Sequence, residues 1–209
     1  MSVIGILAVQ GDFQAHSDAL ERIGAAPRFV KKPSDLEGLA GLILPGGEST
    51  TFLNLLQRQE DFLPAIREFA ASHPVFGTCA GAILLAETVE NPTQPSLGLI
   101  NITVRRNAYG RQLSSSIRNL DIEPQLQIGP EAGTPLDAVL IRAPVIVHAA
   151  PEVQTLARLD GQPVLVRQGS VLAGTFHPEL GSDSRVHRYF CKMVTESEPG
   201  PSGSVQIIS

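Results

Sequence analysis

Val75-Phe76-Gly77-Thr78-Cys79-Ala80-Gly81 is the stretch on which the reading of the fold turns. A short apolar strand ends here, a helix starts at Ala80, and a cysteine sits on the turn between them. A turn this tight crowds the backbone, and a side chain at either glycine would clash. Outward from it, strand and helix signals alternate. Residues 3–9 (VIGILAV) form a strand-sized apolar run ended by Gln10-Gly11-Asp12. Residues 13–23 place Phe13, Ala19, Leu20 and Ile23 on one helical face, and Gly24 follows as a stop. Strands are expected at 28–31 and 39–44, and helices at 49–57 and 62–71. The turn itself joins a strand at 75–77 to a helix at 80–88. This alternation predicts an α/β fold whose parallel sheet is covered on both faces.

The middle of the chain reads differently. Residues 136–141, 145–147, 164–166 and 171–176 are short β-like runs with few helix signals between them, so additional antiparallel strands are expected beside a mostly parallel sheet. Residues 185–194 read as a closing helix. From residue 196 the chain carries Pro199, Gly200, Pro201, Ser202 and Gly203, the composition of a flexible tail.

The 209 residues suffice for one well-buried α/β domain, expected over 1–195 with the tail at 196–209. Hydrophobic residues make up 43% and charged residues 18%, an ordinary globular balance that argues against disorder. A net charge of −5 without a basic run disfavours nucleic acid and anionic membrane as partners. No apolar stretch is long enough to span a bilayer, and no secretory signal is visible. Cys79 and Cys191 are expected as free thiols in a cytoplasmic protein.

Three segments carry chemistry. Cys79 on its strand-to-helix turn has the form of a nucleophile elbow, which lifts the sulfur out of the sheet edge toward free helix N–H groups. The Ala80 N–H is placed to help hold an oxyanion. Phe176-His177-Pro178-Glu179 supplies an imidazole to work beside the thiol and a carboxylate to orient it. Pro45-Gly46-Gly47-Glu48-Ser49-Thr50-Thr51 follows a strand, and its two glycines turn N–H groups toward a ligand, with Ser49 as cap of the next helix. It lacks the Walker phosphate-loop pattern, so an oxyanion donor and polar-substrate contact is the better reading. His16, His73 and His187 are expected on the surface, and His148 has no assignment. No cluster has metal-ligand spacing, and no cofactor is implied.

Together these segments resemble the class I (triad) glutamine amidotransferases. The match narrows with Leu42-Ile43-Leu44-Pro45-Gly46-Gly47-Glu48-Ser49-Thr50-Thr51, Arg105-Arg106-Asn107-Ala108-Tyr109-Gly110-Arg111-Gln112, Ile141-Arg142-Ala143-Pro144 and Thr175-Phe176-His177-Pro178-Glu179-Leu180. Over about residues 3–194 the chain is similar to the glutaminase subunits of pyridoxal 5′-phosphate synthase, the PdxT/SNO family. That resemblance implies a flavodoxin-like three-layer sandwich and hydrolysis of L-glutamine to glutamate and ammonia. It implies passage of the ammonia to a synthase subunit, in a large mixed assembly with a dodecameric synthase core. Carried over by position, Cys79, His177 and Glu179 form the triad. Gly47, Glu48, Ser49, Arg106, Ile141 and Arg142 contact substrate. Gly47 and Ala80 supply the oxyanion donors, and Gln10 and Gly11 lie between that region and the synthase interface. The run Ser114-Ser115-Ser116 is less typical of the family. The alternatives are a glutaminase serving another synthase, a non-catalytic partner-binding module that keeps the fold, or a peptidase with the same elbow.

Overall fold

The computed structural model describes residues 2–59, 61–106 and 116–197. Residues 107–112 of the arginine-rich motif, Ser114, Ser115 and residues 198–209 of the expected tail lie outside the described residues. The chain opens with β1 (Val3–Leu7), α1 (Phe13–Arg22) and β2 (Ala26–Val30). Next come β3 (Gly41–Leu44), α2 (Ser49–Gln57), α3 (Phe62–Ala70), β4 (Val75–Thr78) and the short α4 (Ala80–Leu85). A run of strands follows: β5 (Ala86–Glu90), β6 (Ile100–Arg105), β7 (Ser116–Ile122), β8 (Leu136–Leu140), β9 (Val145–Ala149), β10 (Gln154–Leu159), β11 (Gln162–Gln168) and β12 (Val171–Gly174). The last described element is α5 (Arg185–Ser197), which carries Glu196 and Ser197 as helix.

Nine of these strands form one sheet in the order β2-β1-β3-β4-β12-β11-β10-β7-β8. The first five are parallel, and from β12 outward each neighbour is antiparallel. A separate sheet, β5-β6-β9, flanks it. This is the α/β sandwich the alternation predicts, including the extra antiparallel strands. Successive residues of the central strands feed opposite cores. Leu42, Leu44, Val75, Val171 and Ala173 join Phe52, Phe62 and Ile66 on the side of α2, α3 and α4. Ile43, Phe76 and Leu172 join Leu20, Tyr189 and Phe190 on the side of α1 and α5. Period-two alternation with apolar residues on both faces demands such cover on both sides. In α5, Val186, Tyr189, Phe190, Met193 and Val194 repeat at helical spacing and are buried.

Two expected elements end differently. The helix from Ala80 stops at Leu85, because the carbonyls of Leu84, Leu85 and Ala86 are taken by the N–H groups of Leu97, Leu99 and Gly98. Thr88 and Val89, β-branched, then pair with Thr103 and Val104 of β6. The last strand of the parallel set stops at Gly174, two residues earlier than the apolar run.

The register fixes where function sits. β3 pairs Leu44 with Gly77, and β12 pairs Gly174 with Thr78. The segments leaving β3, β4 and β12 therefore emerge side by side at the carboxyl edge of the parallel strands, where α/β sheets bind their ligands. The segment leaving β1 emerges there too.

Candidate active site

β4 delivers Cys79 at the N-cap of α4 with φ 47° and ψ −101°, a conformation that side-chain-bearing residues rarely hold. The Cys79 N–H donates to the Gly174 carbonyl at 2.8 Å and ties the turn to β12. Both flanking glycines are sterically required. A Cβ at Gly77 would lie 2.6 Å from the Gly81 carbonyl carbon, and one at Gly81 would run into the Leu44 carbonyl. The nucleophile turn is thus wedged between β3 and β12, and Cys79 itself is 7% exposed.

After β12, Pro178 opens a single 3-10 turn, which brings His177 and Glu179 to the same point. His177 Nδ1 lies 2.7 Å from Glu179 Oε1 and 3.6 Å from Asp12 Oδ2. Glu179 accepts at that distance, so Nδ1 carries the proton and Nε2 is left for the sulfur. Burial disfavours the charged imidazole, but hydrogen bonds to Cys79 and Glu179, with their charges, outweigh it and raise His177 to about 10. His177 is therefore held as the imidazolium at neutral pH. Burial pushes Glu179 above the usual carboxylate range against the opposing pull of His177. Burial also lifts the other cysteine, Cys191, to about 11, which leaves it protonated and unreactive near neutrality.

The loop after β3 closes the site from the other side. Gly47 has φ 141°, and its Cα is covered by the Gln10 side chain, whose amide a Cβ there would meet at 2.5 Å. Glu48, not Ser49, caps α2: its carboxylate accepts from the N–H groups of Thr50 at 3.0 Å and Thr51 at 2.6 Å. Ser49 cannot serve as cap because it is already the first helical residue; its hydroxyl donates to Gln94 Oε1 at 3.3 Å. The Thr51 hydroxyl, and then the two N–H groups, hold Glu48 down at about 2. Arg106 reaches over this cap, 3.0 Å from Thr50 Oγ1 and 3.5 Å from Glu48 Oε1.

Asp12, Gly47, Glu48, Ser49, Cys79, Arg106, Ile141, Arg142 and His177 surround one cavity of about 240 Å³, with Ile83 and Pro144 completing its wall. That is below the roughly 300–1,000 Å³ of drug-sized sites and suits a small polar substrate. Arg142 adopts φ 45° on the loop between β8 and β9. Among the described residues it has no ion-pair partner, a free cation at the cavity wall. All the substrate-contact positions named from the sequence therefore meet here. Gln10 sits behind Gly47, Glu179 behind His177, and Ala80 heads α4 beside Cys79. Asp12, His177 and Glu179 bring ligand atoms within 4.8 Å of one another, a spacing that also fits a metal ion. The His177–Glu179 hydrogen bond occupies two of those three groups.

A family model described as the SNO glutamine amidotransferase family matches residues 6–196. The chain belongs to this family. It is 52% identical over 197 residues to "Pyridoxal 5'-phosphate synthase subunit PdxT" of Koribacter versatilis, covering 94% of this chain and 98% of that one. A solved structure titled "Crystal structure of glutamine amidotransferase" superposes with a TM-score of 0.84 at 45% identity, covering 93% of this amidotransferase and all of that chain. PurLQS from Thermotoga maritima gives a TM-score of 0.62 at 18% identity over 94% of this chain and 96% of that chain, a likeness of fold alone.

The expectation of surface histidines fails for two of three. His16 and His187 are fully buried, directly behind His177 and Glu179. Their signal was present: His16 falls in step with Phe13, Leu20 and Ile23, and His187 with Phe190 and Val194, on the buried stripes of α1 and α5. His73 is partly exposed and stacks on Phe69 at 4.4 Å, and His148 is exposed on β9. Asp12, Ile83 and Pro144 are the other site residues the sequence did not single out.

Proposed function

We propose that this amidotransferase is the glutaminase subunit of a pyridoxal 5′-phosphate synthase, with Cys79, His177 and Glu179 as its triad. The observation that carries the chemistry is His177, bonded through Nδ1 to Glu179 at 2.7 Å and lining the same cavity as Cys79. The Cys79 thiolate attacks the side-chain amide carbon of L-glutamine. N–H groups of Gly47 and Ala80 receive the oxyanion, each such donor being worth on the order of a hundredfold in rate. The C–N bond breaks as His177 protonates the departing ammonia, leaving a glutamyl thioester on Cys79. His177 then takes a proton from water, hydroxide adds to the thioester, and thiolate leaves as glutamate forms. Arg142, Arg106 and the Glu48–Ser49 loop hold the α-amino and α-carboxylate groups at the cavity wall. Ile141 packs beside them.

The name of the Koribacter versatilis relative supports the synthase partner. The ammonia passes to that subunit, in an assembly with a dodecameric synthase core, and Gln10-Gly11 forms the face next to it. The reaction takes place in the cytoplasm. The free thiols Cys79 and Cys191 support that placement. The test is glutamate release from L-glutamine by the purified chain, with and without the synthase subunit, beside Cys79→Ala. Release that the synthase stimulates and Cys79→Ala abolishes is expected. Release indifferent to that synthase would point to another partner, and no release under either condition would overturn the enzymatic reading.

A further inference from the structure

Behind the triad lies a second line of polar groups that the proposed reaction does not use. His16 from α1, Thr78 from β4 and His187 from α5 are each at most 1% exposed. His16 Nε2 is 3.4 Å from Glu179 Oε2 and 3.1 Å from Thr78 Oγ1, and His16 Nδ1 is 3.0 Å from His187 Nε2. Both rings stand edge-on to Phe76 at 6.2 Å, which fixes their planes. Glu179 spends Oε1 on His177, while its buried Oε2 has no hydrogen-bond partner among the described residues and faces His16 Nε2 at 3.4 Å, a charge contact rather than a hydrogen bond. We infer that His16 is a positioning residue for the glutaminase reaction: its Nε2 proton, bonded to Thr78, stands 3.4 Å behind Glu179 Oε2 and holds the carboxylate electrostatically against His177, with His187 setting its tautomer. This rests on the reading of Cys79, His177 and Glu179 as the triad.

The tautomers follow from proton bookkeeping. One proton is shared between His16 Nδ1 and His187 Nε2. If His16 supplied it, the bare lone pair of His16 Nε2 would face the Glu179 carboxylate, and His187 would have to bury an Nδ1–H that has no partner. If His187 supplies it, His16 keeps Nε2–H for Glu179 and Thr78, and the unpartnered His187 Nδ1 is only a lone pair. The second arrangement leaves no orphaned donor. Burial, followed by the nearby His187 and His177, holds His16 well below its ordinary value, so it acts as a neutral donor. The effect on the reaction is that a carboxylate in an apolar pocket keeps its charge and its orientation, and His177 keeps its Nδ1 proton.

Two side-chain amides separate a donor role from a packing role. Gln places its amide nitrogen near the Nε2 position of histidine, and Asn places its own near Nδ1. His16→Asn is expected to lower kcat roughly 10- to 100-fold with KM unchanged, the usual cost of removing an orienting partner one step behind a reacting group. His16→Gln should recover kcat to within a few-fold. Added to Glu179→Gln, His16→Asn should slow the reaction no further, because its effect runs through that carboxylate. Nitrogen-15 spectra of the histidine-labelled wild type, which need no variant to fold, should show both His16 and His187 protonated at Nε2. Wild-type kcat in His16→Asn, losses that multiply with Glu179→Gln, or a His16 protonated at Nδ1 would each overturn the role. A wild type that releases no glutamate would instead remove the triad reading on which the role stands.

Discussion

Replacing His187 by Gln isolates the acid sensitivity built into the buried histidine pair. His187 is fully buried, and burial lowers it from 6.5 to about 4, with a smaller contribution from Arg22. In the unfolded chain it titrates near 6.5. The unfolded state therefore binds a proton that the folded state refuses, and stability is lost as pH falls from about 6.5 toward 4. At about 1.36 kcal/mol per decade, His187 withdraws roughly 2.5 kcal/mol between pH 7 and pH 4.5. Gln keeps a donor near the Nε2 position, so it still serves His16 Nδ1, and it does not titrate. Urea unfolding at pH 7.0 and pH 4.5 gives the assay, with the free energy taken from the midpoint and slope. The carboxylates contribute alike in both proteins, and burial, the largest cause, still holds His16 low in the variant. The wild type should lose about 2.5 kcal/mol more than His187→Gln across this interval. Equal losses would refute the claim that His187 is held neutral by its surroundings.

Three further outcomes follow from the geometry. Gly46→Ala would push a Cβ into the His177 imidazole, so kcat for glutamate release should fall at least tenfold while thermal unfolding shifts little; an unchanged kcat would mean His177 has room to move. Phe190→Ala, emptying a fully buried position of α5 against Phe76, should cost about 3–5 kcal/mol in chemical unfolding, and a loss under 1 kcal/mol would contradict the packing described. Glu48→Ala removes the α2 cap and should cost about 1 kcal/mol at pH 7. Because Glu48 is depressed to about 2, that stabilisation is complete above about pH 4.5 and fades as pH falls toward 2, so wild type and variant should converge in acid.

β1, β3, β4 and β12 were legible because their apolar runs are short, continuous and punctuated by nearby glycine, as strands buried on both faces tend to be, whereas edge strand β2 is exposed at Arg28 and Phe29. The elbow was legible for the same reason: two glycines around Cys79 have few structural uses other than a close turn. β5, β6, β7 and β10 were harder to read. Alternating strands such as Ile100–Arg105 show only one apolar face. The middle of the chain also pairs out of order, since β7 and β8 join the sheet beyond β10, which no local pattern announces. At the site, His16 and His187 were missed because histidine is usually read as polar. Their places on the apolar stripes of α1 and α5 outweighed their type. Glu48 was passed over as a cap because Ser49 beside it is the commoner capping residue.

The most direct test of the account is whether a glutamyl group forms on Cys79. Protein mixed with L-glutamine in the presence of the synthase subunit, quenched in acid within one turnover and digested, should yield the Cys79 peptide carrying a glutamyl thioester. That adduct should be absent from Cys79→Ala, which should also release no glutamate. Glutamate release that persists in Cys79→Ala would contradict the account.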